Sequence, residues 1–290
     1  MIAYSFLIQW FGFNWRKKNK KREDMKNDNY LALADQIDFN DQKQTKTVLV
    51  KMIWLEIILQ ICYQAYPFVT KYLIGNRVLK DVFVAIYLIV FTMAALHFGL
   101  TTKVFDKRVK THRAVKVLTA VYFVLLGLMV VMNIFTHSMV FKLPGHKIVS
   151  IALIALSAAI CEEFLFRGIL FNIFAVALRK NKYNIFWTSV ICSVLFGLCH
   201  LINLFHQPLV STIGQIILAM SLGFILSYLR ILSNGIIFGI IVHFLQDCSP
   251  QVASSNTGNS NIAFVSAVYI PVSIFMMICI YLFNRQLNKK

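Results

Sequence analysis

From about residue 48 to residue 284 the chain consists of long apolar runs separated by short polar or basic breaks. A run of about 20 apolar residues is what a helix needs to cross the hydrocarbon core of a bilayer. Backbone amides and carbonyls find no water there, so a crossing segment must satisfy them within a helix or a closed barrel. The runs near 48–73, 80–100, 116–136, 148–178, 184–204, 209–230, 235–248 and 262–284 predict an all-α, polytopic membrane protein of about eight transmembrane helices. The seventh run is short for a full crossing, and the fourth is long enough to tilt strongly or to pass the interface. Of the 290 residues 58% are hydrophobic and only 14% are charged, which lies outside the range of soluble domains.

The formal charge of +17 raises the question of nucleic acid, but the basic residues lie in loops and tails, where membrane orientation explains them. Six of the seven residues from Arg16 to Arg22 are basic. Lys103, Lys107, Arg108, Lys110, Arg113 and Lys116 crowd the break between the second and third runs, Arg179, Lys180 and Lys182 follow the fourth, and Arg285, Lys289 and Lys290 close the chain. The loop at 249–261 carries no charge. The positive-inside rule then places both termini in the cytoplasm and that loop outside, in a cell (plasma) membrane. Lys71, Arg77 and Lys80, between the first two runs, count against this orientation.

Residues 1–47 are expected to stand apart from the membrane domain at 48–290. Met1 to Trp15 is apolar and aromatic, with its basic run after it, the reverse of a secretory signal; it reads either as an interfacial anchor or as an extension upstream of a start at Met25. Residues 16–47 read as a mobile, polar cytoplasmic linker. The six cysteines form no Cys-x-x-Cys pair, so neither a disulfide framework nor a thiolate zinc site is indicated.

The fourth run contains Cys161-Glu162-Glu163-Phe164-Leu165-Phe166-Arg167-Gly168. One charge at the centre of a membrane helix costs about 2.5 to 3.5 kcal/mol on insertion scales, so three within six positions need partners, water or a function. Residues four apart share a helix face. At that spacing the late runs hold Glu163 with Arg167, Phe196 with His200, and His243 with Asp247. Each has a structural reading on its own: an internal ion pair that lets a helix insert, a headgroup-facing imidazole, an interhelical contact. Together they supply what amide hydrolysis requires: a carboxylate to take a proton from water, an imidazole to share that water or hold a metal, and donors for the oxyanion. Glu56, in the first run, reads as a structural residue facing the bundle or a headgroup, and no role is assigned to Asn172, Asn203 or His206.

Glu162-Glu163-x-x-x-Arg167, Phe196-x-x-x-His200 and His243-x-x-x-Asp247, in this order over residues 148–248, resemble the motifs of the CAAX protease and bacteriocin-processing family, also called the Abi family. The resemblance implies an intramembrane endopeptidase acting on a peptide or protein substrate among membrane lipid. It implies that Glu162 and His200 activate the attacking water, that His243 and Asp247 line the oxyanion side, and that Glu163 and Arg167 support them. Members are described both as metalloproteases and as metal-free glutamate enzymes, and one carboxylate with two imidazoles could ligate a divalent metal such as zinc. Aspartate at position 247 departs from the asparagine found in some relatives. An ionised Asp247 would repel an oxyanion, so it must be protonated, accept the second N–H of His243, or bind metal.

Other intramembrane protease signatures are absent from the sequence: His-Glu-x-x-His, Gly-x-Ser-Gly and Gly-x-Gly-Asp. The alternatives to an endopeptidase of bacteriocin processing or self-immunity are a non-catalytic membrane immunity protein that shields a receptor, and an ion or proton transporter using the same charges. Positive-inside placement puts His200 and the His243–Asp247 pair toward the outer ends of their spans, which favours an exported peptide over a cytoplasmic lipidated tail.

Overall fold

The structure is a computed structural model that describes residues 31–248 and 262–287, apart from positions 36, 73–74, 100, 107–108 and 110. The segment around Trp10 and Trp15, the basic run at 16–22, the start at Met25 and the loop at 249–261 lie outside the described residues. The helices are α1 (Gln42–Tyr72), α2 (Arg77–Phe98), α3 (Arg113–His137), α4 (Gly145–Glu162), α5 (Phe171–Ala177), α6 (Asn184–Cys199), α7 (Leu209–Ser233), α8 (Ile237–Asp247) and α9 (Ile262–Leu287). Among the described residues, seven helical stretches are long and apolar enough to cross a membrane, and α8 is a shorter apolar helix. The short seventh run is thus a helix of 11 residues, about 16 Å long.

Apolar side chains on α2 and α3, such as Ile86, Ile89, Met93, Val124, Leu128 and Phe135, face outward, as they would toward lipid acyl chains. The interior is organised around α7, buried without a break from Ser221 to Ile231 and packed on α6, α8 and α9. A Cβ on Gly197 would run into Met220, and one on Gly223 into the backbone and side chain of Ser193. Two glycines therefore let α6 and α7 approach closely, the small-residue packing that membrane helices use where no hydrophobic drive separates lipid from protein.

One end of the bundle is tied by polar side chains in its loops. Asn234 ends α7 in the left-handed conformation, with φ of 55°. Its Oδ1 accepts from the amides of Val104 and Phe105 at 2.8 Å each, and its Nδ2 donates to the Phe105 carbonyl. Asn is one of the few residues that takes this conformation readily, and here its side chain pins the α7–α8 turn to the α2–α3 loop. The His112 amide donates to Gln286 of α9, and Asn284 of α9 binds the Lys182 carbonyl and the Phe186 amide. Val104, Phe105, His112 and Lys182, described residues of the breaks at 103–116 and 179–182, are thus tied to Asn234 and to the end of α9 at one end of the bundle.

Two differences from the sequence reading stand out. The fourth run is not one regular helix: between α4 and α5, residues Glu163–Leu170 form a π-helical segment. Part of the expected linker is packed rather than free. Leu31, Leu33 and Ile37 are buried, the Ala32 amide donates to the Val104 carbonyl, Leu31 pairs with Phe105, and α1 already begins at Gln42. Three apolar residues in a polar stretch are enough to dock it on the α2–α3 loop.

Candidate active site

The three motifs meet where α4, the π-helical segment, α6 and α8 converge, with α1 closing one side. The π geometry, rare and concentrated at functional sites, starts between the two adjacent glutamates: Glu162 ends α4 and Glu163 opens the wider turn.

Glu163 is sealed in the protein at 1% exposure. Its Oε1 accepts from Arg167 Nη1 at 2.8 Å and from His243 Nδ1 at 3.1 Å. Its Oε2 lies against Gly239, where a Cβ would come within 2.8 Å of it, and has no hydrogen-bond partner among the described residues. Gly239 and His243 are one turn apart on α8, so one face of that helix holds the whole carboxylate.

Glu162 is different. It is 15% exposed, its Oε1 accepts from the Tyr63 hydroxyl of α1 at 2.6 Å, and its Oε2 faces His243 Nε2 at 3.5 Å. Asp247, at 31% the most exposed of the three carboxylates, has Oδ2 at 3.4 Å from the same Nε2. The imidazole of His243, 2% exposed, thus has Glu163 on one nitrogen and Glu162 and Asp247 near the other. Asp247 thus stands beside the nitrogen that the accepting posture would engage.

His200 does not pair directly with Glu162. Its Nδ1 donates to the Phe196 carbonyl at 3.0 Å, so in the neutral ring Nε2 carries the lone pair. It joins the cluster through the ring of Phe196, whose centroid is 5.4 Å from that of His200 and 5.8 Å from that of His243, both edge-to-face. The Arg167 guanidinium lies over the same ring at 4.2 Å. Phe196 is therefore the apolar hub of the site, bearing a cation and two imidazoles around one ring.

Among the described residues, no three His, Cys, Asp or Glu side chains converge to hold a metal ion. Glu162, His200 and His243 do not form such a set as they stand, because both nitrogens of His243 are directed at carboxylates and His200, whose Nε2 lone pair is left free by its Nδ1 bond, meets the cluster across the Phe196 ring.

Tyr63, Gly239 and Arg230 were not singled out by sequence. Arg230 is buried on α7, with Nη2 donating to Asn172 Oδ1 at 2.9 Å and its guanidinium over Phe171 at 4.3 Å. Asn172 in turn donates to the Thr101 carbonyl, tying α5 and α7 to the end of α2. These groups buttress the segment that carries Glu163 and Arg167. A signal for Tyr63 exists in the polar series Glu56, Gln60 and Tyr63 at one-turn spacing in α1.

Comparison with known proteins adds one finding. Residues 144–249 match the Rce1-like family, described as type II CAAX prenyl endopeptidase Rce1-like. A CAAX-protease-like domain is thus present over part of the chain, and it contains every motif residue from Glu162 to Asp247 together with a buried His–Glu pair. No curated protein and no solved structure matches the chain.

Proposed function

We propose that the chain is an intramembrane endopeptidase in which Glu162 takes a proton from the attacking water. The observation that carries this reading is the division of labour between adjacent glutamates. Glu163 is sealed and consumed by Arg167 and His243, whereas Glu162 keeps accessible surface, has one oxygen fixed by Tyr63 and turns the other toward an imidazole. A general base needs contact with water and a defined position, and of the two glutamates Glu162 has both.

In the proposed cycle the water oxygen bonds to the substrate carbonyl carbon as its proton passes to Glu162. His243 acts as an imidazolium: its Nδ1–H is held by Glu163, and its Nε2–H, which faces Asp247 in the resting site, turns to the oxyanion as that charge develops. The tetrahedral intermediate collapses with loss of the C–N bond, and Glu162 returns the proton to the leaving amine. His200, with its lone pair on Nε2, is assigned as a second acceptor for the water. The substrate is an exported peptide: Asp247 ends α8, whose last turn meets the far part of α3 through Gln246 and Asn133, away from the basic loops.

The test is hydrolysis of a peptide library by the purified protein and by Glu162→Gln in detergent. Cleavage that falls about a hundredfold or more in the variant is expected. No cleavage by the parent chain, or equal cleavage by both, overturns the reading; a protective phenotype unaffected by Glu162→Gln would instead indicate shielding.

A further inference from the structure

Glu56, Gln60 and Tyr63 fall at i, i+4 and i+7 on α1, beside the buried residues Met52, Leu55 and Leu59 that mark its inward face. Tyr63 is committed to Glu162. The other two are not committed: Glu56 Oε2 and Gln60 Oε1 are enclosed, with no hydrogen-bond partner among the described residues. Glu56 lies within electrostatic reach of Cys192 and Cys199 of α6, and Cys199 is also within reach of Glu162. Through Tyr63, which shares the stripe's face and bonds Glu162, the polar stripe of α1 leads to the candidate base.

A carboxylate in an apolar span costs several kcal/mol unless something answers it. With Glu56 ionised both unsatisfied atoms are acceptors, so what answers them in that state must donate. The interior's own guanidiniums are anchored on other acceptors, Arg167 on Glu163 and Arg230 on Asn172, and although each keeps two N–H groups with no partner among the described residues, none of these bonds Glu56 Oε2 or Gln60 Oε1. We propose that Glu56 and Gln60 form a substrate subsite for a basic side chain, Lys or Arg, of the peptide whose scissile bond lies at Glu162. This rests on the peptidase reading of the site. An ammonium or guanidinium brings both the charge that a carboxylate recognises and enough N–H groups for two acceptors one turn apart. Glu56 and Tyr63 are seven helical steps apart, about 10 Å along the axis, which an extended peptide covers in about three residues. The basic residue therefore sits within about three positions of the cleaved bond.

The test uses binding, so that it does not depend on turnover. The Glu162→Gln protein in detergent is titrated with fluorescent apolar peptides that differ only in carrying lysine or norleucine at one position, moved along the sequence. At one position the lysine peptide binds about tenfold more tightly or better, the worth of a hydrogen bond to a charged group. Adding Glu56→Gln abolishes that difference without lowering the unfolding temperature. Equal binding of the two peptides at every position, a comparison that needs no change at Glu56, overturns the subsite; so does a preference that survives Glu56→Gln. Hydrolysis by the parent chain with no lysine preference sinks the subsite alone. Binding that depends on Glu56 without any hydrolysis sinks the peptidase reading and leaves the subsite standing.

Discussion

Tyr63 of α1 donates its hydroxyl to Oε1 of Glu162 at 2.6 Å, joining the first span to the fourth across 99 positions of sequence. A hydrogen bond to a charged group is worth about 1.5 to 3 kcal/mol. In Tyr63→Phe the Glu162 carboxylate loses the donor that fixes its orientation, while the ring and its tilted contact with Tyr66, at 5.9 Å between centroids, can remain. The expected result is a fall in kcat of about ten- to a hundredfold with KM little changed, read from peptide hydrolysis in detergent. An equal rise in KM with kcat unchanged would assign Tyr63 to substrate binding instead.

Glu163→Gln should damage the fold more than Glu162→Gln does. Removing the charge on Glu163 leaves the buried Arg167 guanidinium without its counter-ion, and breaking a buried pair from one side costs about 3 to 5 kcal/mol. Glu162 is partly exposed and should cost much less. Denaturant or thermal unfolding of the two variants in the same detergent measures the difference. Replacing both partners, as in Glu163→Leu with Arg167→Met, should recover much of the stability without restoring hydrolysis.

The parts of this architecture visible in sequence are those where a residue is costly in its local setting. Glu162, Glu163 and Arg167 stand out because an apolar run does not tolerate charge idly, and His243 with Asp247 because two polar groups recur at one turn. The hidden parts depend on partners far along the chain. Tyr63 is an ordinary aromatic in an apolar run until α1 packs on α4, and Arg230 closes its run where a basic residue would suit snorkelling, yet it is buried on Asn172. The hydrogen bond from Tyr63 to Glu162 is hidden for the same reason: spacing within a helix says which residues share a face, not which face of another helix they meet. The π-helical turn at Glu163–Leu170 is likewise invisible to a search that assumes 3.6 residues per turn.

Gly239→Ala offers a probe outside the charged groups. Its Cβ would lie 2.8 Å from Glu163 Oε2, so the carboxylate must shift and carry His243 with it. Alanine is intrinsically the better helix former by about 1 kcal/mol, which offsets part of the strain. A fall in kcat of about tenfold or more with the unfolding temperature nearly unchanged is expected. Unchanged kcat would show that Glu163 does not position His243 for catalysis.

Asp247 provides the last test, because two roles for it predict opposite outcomes. Its Oδ2 lies 3.4 Å from His243 Nε2, whereas Glu163 holds Nδ1 at 3.1 Å and is far better shielded from solvent. If Asp247 acts only by accepting from the imidazole, the amide oxygen of Asp247→Asn can accept in its place, and the oxyanion then faces no adjacent negative charge. Asp247→Asn should therefore keep hydrolysis within about tenfold of the parent, while Asp247→Leu, which offers no acceptor, should lose about a hundredfold. Because both nitrogens of His243 are directed at carboxylates, neither rate should respond to a chelator. Loss of activity in Asp247→Asn that tracks with chelator sensitivity would mean that the carboxylate binds a metal and that His243 turns away from the position seen here.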